Sequence, residues 1–355
     1  MNKTHLTQDI HFLKRENNPH RQNAITFSCL GKLQSANLSL LNKWKTRLGG
    51  MIQQALNKNA VPCSALIIGL AESGIIPSAL FHQILREQGI HAEWICSTRR
   101  PSSGIHFKET HSHGPDHILP MPFRQPEELW FVEDEITTGR TVLQLALNLC
   151  EVMNIRQVRF FAIADTRSSE DASRFEMLLN DHGIEHSLHV LFMLGSENSP
   201  PERGTGSVLA AKDIRKSGIT TSDNDFEANW HFPRQRPALR SQFDASVYFS
   251  ERFPTQKEKK NCHGTLLPVG EAVDIALRII QEPHGLSFRH VTLSPWQIDG
   301  KNIFSRLDIC GKYYLYNYHH LKSPLYILRD PVDAHIGKEM VNLLTSRGFV
   351  IKGIF

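Results

Sequence analysis

Short apolar runs alternate with amphipathic stretches along the chain, and that alternation predicts most of the elements. Residues 36–57 carry Leu38, Leu41, Leu48, Ile52 and Leu56 at roughly helical spacing, which predicts a helix interrupted at Gly49-Gly50. Ser64–Leu70 (SALIIGL) has the length and β-rich content of a buried strand. After AESG a second helix is expected from Pro77, near the first helical position, to Gln88, ending at Gly89. His91–Ser97, Glu128–Glu133 and Arg156–Ala164 read as further strands, and Thr141–Met153 as a helix between the last two. This order predicts an α/β fold, an open, mainly parallel sheet with right-handed crossovers. The polar stretch Arg99–Pro120 has no periodicity and is expected to be a long functional loop.

The pattern breaks after Leu194. Residues 196–262 hold Pro200-Pro201, Gly204-Thr205-Gly206 and the polar runs SGITTSDND and PTQKEKKN. A partly disordered linker is expected there, with an aromatic island at Trp230, Phe232, Phe243 and Phe253. Helical periodicity returns at Gly270–Ile280 and persists to Phe355. Three parts are therefore predicted: a first domain over 1–195, a linker over 196–262, and a second, smaller α/β domain over 263–355. The alternating tyrosines of Tyr313–Tyr318 suit a half-exposed strand better than a stacking platform.

Composition narrows the function classes. A chain of 355 residues, 40% apolar and 21% charged, has ordinary globular character and the size for two domains, which excludes collagen-like, coiled-coil and wholly disordered proteins. Forty basic against 36 acidic residues leave +4, too mild for a dedicated nucleic-acid binder but compatible with a small phosphorylated ligand. The six cysteines, at 29, 63, 96, 150, 262 and 310, form no CxxC and are expected to stay reduced in a cytoplasm. Neither a signal-peptide core in the first twenty residues nor a run of eighteen apolar residues is found, so no membrane association is expected.

The chemistry concentrates in Trp130–Thr141, WFVEDEITTGRT. A buried strand delivers Glu133 and Asp134 to the carboxyl edge of the sheet, where ligands bind in open α/β folds. The turn Thr137-Thr138-Gly139-Arg140-Thr141 then opens a helix, so backbone amides, hydroxyls and a helix N-terminus converge on a place suited to phosphate. The carboxylates repel that phosphate but suit vicinal hydroxyls one sugar-length away, and the pair describes a ribose 5-phosphate site. The plainer alternative is a strand end with two solvated acids and a helix cap.

This segment resembles the phosphoribosyl-diphosphate (PRPP) signature of type I phosphoribosyltransferases: an apolar strand, two acids, two variable residues, then T-T-G-x-T. Glu133 and Asp134 match the acidic pair, with Glu where Asp is commoner; Thr137, Thr138, Gly139, Arg140 and Thr141 match the phosphate loop, with Arg140 where Gly is frequent. The resemblance implies that Ala71, Glu72, Ser73 and Gly74, after the first strand, hold pyrophosphate through backbone amides. It implies that Arg99 and Arg100 grip the same group as guanidinium forks.

In the loop His106–His117 the resemblance implies a mobile lid whose Lys108, His111 and His113 donate to the departing pyrophosphate. A solvated loop competes with that reading, as does a zinc cluster of His111, His113, Asp116 and His117, although the spacing matches no standard site. No protein-held metal is assigned.

Taken together, NPHRQNAITFSCLGK, FKETHSH, FVEDEITTGRT, DIALRII and a TLSP tetrapeptide are similar, in that order, to the orotate-phosphoribosyltransferase-like proteins of tellurite-resistance and stress operons, which carry a C-terminal TRSP domain. Thr292-Leu293-Ser294-Pro295 departs from that pattern, with Leu in place of Arg. The resemblance implies Mg²⁺-dependent transfer of ribose 5-phosphate from PRPP to an unidentified nitrogenous acceptor, in a nucleotide-like biosynthetic pathway. A PRPP-sensing regulatory protein and a zinc-dependent hydrolase are the alternatives. The oligomeric state stays open, a homodimer included, and no nucleic acid is expected as a partner.

Overall fold

The computed structural model describes residues 9–16, 22–58, 62, 64–100, 104–108, 116–120, 122, 125–195, 263–280, 285–330 and 333–355. The chain divides into two compact units, Met1–Trp44 with Arg240–Phe355, and Lys45–Leu239. In chain order the elements are β1 (Ile10–Lys14), β2 (Asn23–Phe27), β3 (Ala36–Asn37), α1 (Leu38–Lys58), β4 (Ala65–Gly69), α2 (Ile75–Glu87), β5 (Ala92–Cys96), β6 (Ile105–Lys108), β7 (Asp116–Leu119) and β8 (Glu128–Ile136). There follow α3 (Arg140–Met153), β9 (Gln157–Asp165), α4 (Ser169–Asp181), β10 (Glu185–Met193), β11 (His263–Pro268), α5 (Val273–Ile280) and β12 (Gly285–Phe288). The last are β13 (Arg306–Ile309), β14 (Tyr313–Tyr316), β15 (Leu325–Leu328), α6 (Ala334–Thr345) and β16 (Ile351–Ile354).

In Lys45–Leu239 five strands form one sheet in the order β10-β9-β8-β4-β5, every pairing parallel. β4 is apolar throughout and β9 is buried from Val158 to Asp165, as strands covered on both faces must be. α3 repeats apolar residues at Val142, Leu145, Ala146, Leu149 and Met153, one stripe that it buries in the core with Leu66, Ile68, Phe131 and Phe160. Each such side chain contributes roughly 1.5–3 kcal/mol. Early in β8 and β9, Glu128 and Arg159 make a buried ion pair at 2.7 Å. Trp130 donates to the other Glu128 oxygen (2.7 Å), and Arg159 lies over the Trp130 ring, so both charges are compensated.

The chain runs from β4 through α2 to β5, then crosses back past β4 to β8 and continues outward to β9 and β10. Neighbouring β4 and β8 thus send their connections in opposite directions, and the crevice outside their carboxyl ends is where such sheets accept ligands.

The expected elements β4, α2, β5, α3 and β9 fall within two residues of the structure, and β8 runs on to Ile136. Two expectations are corrected. α1 passes unbroken through Gly49-Gly50, with Leu48 and Ile52 fully buried on its inner face, so packing outweighs the helix-weakening glycines. The polar stretch 99–120 contains the antiparallel hairpin β6–β7, anchored by buried Ile105, Phe107 and Leu119 among its polar neighbours.

The other unit holds a second five-stranded sheet, β16-β15-β11-β12-β3, parallel except for β3. β3 pairs Asn37 with Ser287 and Ala36 with Phe288, so the residues expected to open a helix form an edge strand instead. The β1–β2 hairpin belongs here too, with Arg15 bridging Trp296. The first 44 residues, expected with the domain over 1–195, therefore group with the C-terminal part. The expected linker over 196–262 lies outside the described residues. β14 is a strand as expected, but Tyr313, Leu315 and Tyr316 are buried rather than alternating outward, because both faces are covered. Cys29, Cys96, Cys150 and Cys310 are free thiols. Among the described residues no helix is long and apolar enough to cross a membrane.

Candidate functional site at the carboxyl edge of the first sheet

The register of β4 on β8 sets Gly69 opposite Val132, which leaves the residues just beyond, Leu70 and Glu133, side by side. The Leu70 amide donates to Glu133 Oε1 at 3.1 Å, tying the turn after β4 to the acidic end of β8. That turn, Ala71–Gly74, contains a cis peptide between Ala71 and Glu72 and closes with Gly74 N–H on Leu70 O (2.9 Å). A Cβ on Gly74 would lie 2.7 Å from the Leu70 backbone and 3.1 Å from Glu133 Oε1, so only glycine admits this approach.

From the other side the turn is held by β5. Ser97 Oγ accepts from the Ala71 amide (2.8 Å) and meets His117 Nδ1 at 3.1 Å. Arg99 Nε donates to His117 Nε2 (3.3 Å), which places the ring proton on Nδ1 and directs it at Ser97. His117 is buried, and Phe107 covers its ring. The structure thereby joins Ala71, Ser97, Arg99 and the β6–β7 hairpin in one network.

Glu133, Asp134 and Glu135 are all half-buried, unlike the five buried residues that precede them in β8. Successive strand residues point to opposite faces, so Asp134 leaves the sheet opposite Glu133. Glu135 accepts from Thr166 Oγ1 at 2.8 Å. Beyond Ile136 the half-buried Thr137 and Thr138 lead to Gly139, whose φ of 73° is left-handed and whose added Cβ would stand 2.8 Å from the Phe175 ring. Gly139 caps α3 without a side-chain hydrogen bond, and a helix N-terminus of this kind attracts anions. The Arg140 amide leans on Thr138 Oγ1 (3.4 Å), and Thr141 is half-buried beside it. The exposed Arg140 side chain turns toward Asp171 at the start of α4, 3.9 Å away.

Of the residues singled out in the sequence, the structure gathers at the carboxyl ends of β4, β5 and β8 the turn Ala71–Gly74, Arg99 and Arg100 after β5, Glu133 and Asp134 in the last residues of β8, Thr137–Gly139 beyond it, and Arg140 and Thr141 at the start of α3. Lys108 ends β6, with its side chain outside the described residues, and His111 and His113 lie outside them altogether. Among the described residues no His/Cys/Asp/Glu group is arranged to hold a metal, and His117 gives Nε2 to Arg99 instead. Sequence reasoning missed Ser97, the Glu135–Thr166 contact and Asp165-Thr166-Arg167 after β9. Arg167 grips Asp165 with Nε (3.0 Å) and Nη2 (2.8 Å), both buried, while its Nη1 has no partner among the described residues. No motif advertises these residues; their place just after two predicted strands was the available signal.

Comparison with known proteins bears on the whole edge. A search of curated proteins finds no match. Among solved structures, the chain is similar to adenine phosphoribosyltransferase from Giardia lamblia complexed with 9-deazaadenine, with 10% identity, a TM-score of 0.37, and 54% of this chain and 98% of that one covered. It is similar to the Trypanosoma brucei enzyme in complex with AMP, pyrophosphate and ribose-5-phosphate at 12% identity and a TM-score of 0.39, covering 60% and 90%. For the Saccharomyces cerevisiae enzyme the values are 13%, 0.36, 53% and 97%. Scores at this level carry no argument. The family model described as phosphoribosyl transferase, by contrast, matches residues 10–194, more than half of the chain and every loop of this edge. On that match the chain belongs to the phosphoribosyl transferase family.

Proposed function

We propose that this protein transfers the 5-phosphoribosyl group of PRPP to a nitrogenous acceptor and releases pyrophosphate. The observation that carries the reading is the Leu70–Glu133 bond at the switch point, which holds a glycine turn and an acid-threonine loop against one crevice. In this reading the hydroxyls of Thr137, Thr138 and Thr141 and the amides of Gly139 and Arg140 receive the 5-phosphate. Each hydrogen bond to that charge is worth roughly 1.5–3 kcal/mol, and this remote binding orients the reacting carbon. Glu133 and Asp134 are assigned the ribose hydroxyls, and Glu133 has one oxygen bonded to Leu70. Backbone groups of Ala71, Glu72, Ser73 and Gly74, with Arg99 and Arg100, hold the pyrophosphate. Lys108, His111 and His113 are proposed to close over it.

The bond between C1 and the pyrophosphate oxygen breaks, and its electron pair leaves with pyrophosphate. The acceptor nitrogen supplies the pair for the new C1–N bond and loses its proton to solvent or to the departing group. While the ring is electron-poor, the carboxylates of Glu133 and Asp134 stabilise it electrostatically. Magnesium prefers oxygen donors, one or two carboxylates and substrate phosphates, and the half-buried acids of β8 fit that preference. When bound it neutralises charge on the diphosphate.

The resemblance to the tellurite-operon group, resting on segments that recur in the same sequence order from Asn18 to Pro295, extends the proposal to a nucleotide-like product. The test is incubation of the full chain with PRPP, Mg²⁺ and a panel of free bases and small amines, with pyrophosphate and ribosylated product followed by mass spectrometry. Saturable PRPP binding and a new ribosylated species are expected. Absence of both sinks the proposal.

A further inference from the structure

Resting on the reading that the Thr137–Thr141 loop receives the 5-phosphate, we propose that Thr166 and Phe175 are positioning residues for that group. They shape the loop from the connection after β9 and leave contact with the ligand to the loop itself. Both belong, with the loop, to the unit Lys45–Leu239. β8 and β9 run parallel with Glu135 opposite Ala164 and Ile136 opposite Asp165, so the two strands end at one level. Thr166 is the first residue past β9 and is 3% exposed. Its amide donates to Ile136 O at 3.0 Å, and its hydroxyl donates to Glu135 Oε1 at 2.8 Å. Backbone and side chain of one residue thus clamp the two positions immediately before Thr137.

The far end of the loop rests on α4. The Phe175 ring occupies the space that a Cβ on Gly139 would need, 2.8 Å from that position. The ring is itself held on two sides. It meets Phe160 edge to face at 4.8 Å, and the Arg167 guanidinium lies over it at 4.9 Å. Asp165 keeps Arg167 there, accepting from its Nε (3.0 Å), its Nη2 (2.8 Å) and its amide (3.0 Å). This buried pair is neutral as a unit, so it stiffens the connection without adding net charge beside the loop. Ser168 fixes the start of α4 by accepting the Asp171 amide at 3.0 Å, and Asp171 in turn faces Arg140.

Thr137 and Thr138 lie between these two supports, half-buried on a span too short to rearrange while its ends are held. Amides and hydroxyls that must converge on one phosphate bind it better when their directions are set in folding, because binding then loses less conformational freedom. The turn assigned to pyrophosphate, Ala71–Gly74, is tied to Ser97 after β5 instead. The two phosphate-bearing ends of PRPP therefore depend on different supports, and a change at Thr166 should be felt by one of them.

Calorimetry on the full chain with Mg²⁺ tests this, with ribose 5-phosphate and pyrophosphate as separate ligands. Thr166→Val keeps the shape of the side chain but cannot donate, and is expected to weaken ribose 5-phosphate about tenfold. Pyrophosphate is expected to stay within about twofold of the wild type. Thr166→Ser restores the donor and should restore ribose 5-phosphate binding. Glu135→Ala removes the other partner of the same bond at a half-buried site, and should show the same selective loss. It decides alone if Thr166→Val does not fold. Unchanged ribose 5-phosphate affinity, or an equal loss for pyrophosphate, would overturn the positioning role and leave the proposed function standing. A wild type that binds neither ligand would bring down both.

Discussion

Both units build a mainly parallel sheet with neighbouring strands whose connections diverge, β4 beside β8 in one and β11 beside β15 in the other, yet their carboxyl edges treat acids in opposite ways. On the first edge Glu133, Asp134 and Glu135 are half-buried and open to solvent. On the second Glu271, Asp274, Asp330 and Asp333 are all 6% exposed or less. Asp274 is the extreme case, with neither carboxylate oxygen partnered among the described residues. If the first edge exchanges a charged sugar, as proposed, its carboxylates have to stay reachable and hydrated between turnovers. A sealed edge carries the desolvation cost permanently and exposes little for exchange. The same topology thus carries its acids at two levels of burial.

Matched substitutions sharpen the contrast. Asp134→Asn on the open edge is expected to lower kcat/KM by 100-fold or more, about 2.7–4 kcal/mol, with an unchanged circular dichroism spectrum. Steady-state pyrophosphate release checks this, and near-normal turnover would remove Asp134 from the mechanism. Gly139→Ala meets both the left-handed φ and the Phe175 ring, so it is expected to cost roughly 1–2 kcal/mol of stability and to raise the KM for PRPP. Denaturant titration with PRPP kinetics reads both effects.

On the sealed edge Asp274→Asn is expected to act in the reverse sense. It replaces a buried carboxyl that has no partner among the described residues, and should stabilise the fold by about 1 kcal/mol, net of the ~0.3–1 kcal/mol that an acid at a helix N-terminus contributes. A lowered Tm would show that the carboxylate is compensated. The smallest effect concerns Cys310, whose thiol donates to Glu339 Oε2 at 2.6 Å. Desolvation first, then the Glu339 hydrogen bond and charge, raise the thiol to about 11. Alkylation by iodoacetamide should therefore reach half its limiting rate near that pH. Glu339→Gln should move the midpoint down, since it removes the charge that opposes the thiolate; an unmoved midpoint would leave desolvation as the whole cause.

The first sheet was legible because its signals are local. SALIIGL and ELWFVE are buried on both faces and read as strands from a few residues, and the helix starting at Arg140 announces itself by Thr-Thr-Gly. What stayed hidden depends on partners distant in sequence. β3 is two residues long and exists only because Ser287 and Phe288 pair with it. The hairpin β6–β7 is polar between its few anchors, so its alternation is too short to separate from a loop. The acidic pair was legible as composition, but its division of labour was not: that Glu133 spends an oxygen on Leu70 follows from the register of β4 on β8. Ser97 carries no motif and earns its place only because the Ala71 amide folds onto it.

The imidazole of His117 has a mechanical consequence. It stands on β7, one of the two strands that bracket residues 109–115, and it shares Ser97 with the Ala71 peptide. Displacing that hairpin therefore tugs on the very amide that lines the neighbouring turn. Conversely, whatever fixes the Ala71 peptide also restrains the hairpin, because both hang on one serine hydroxyl.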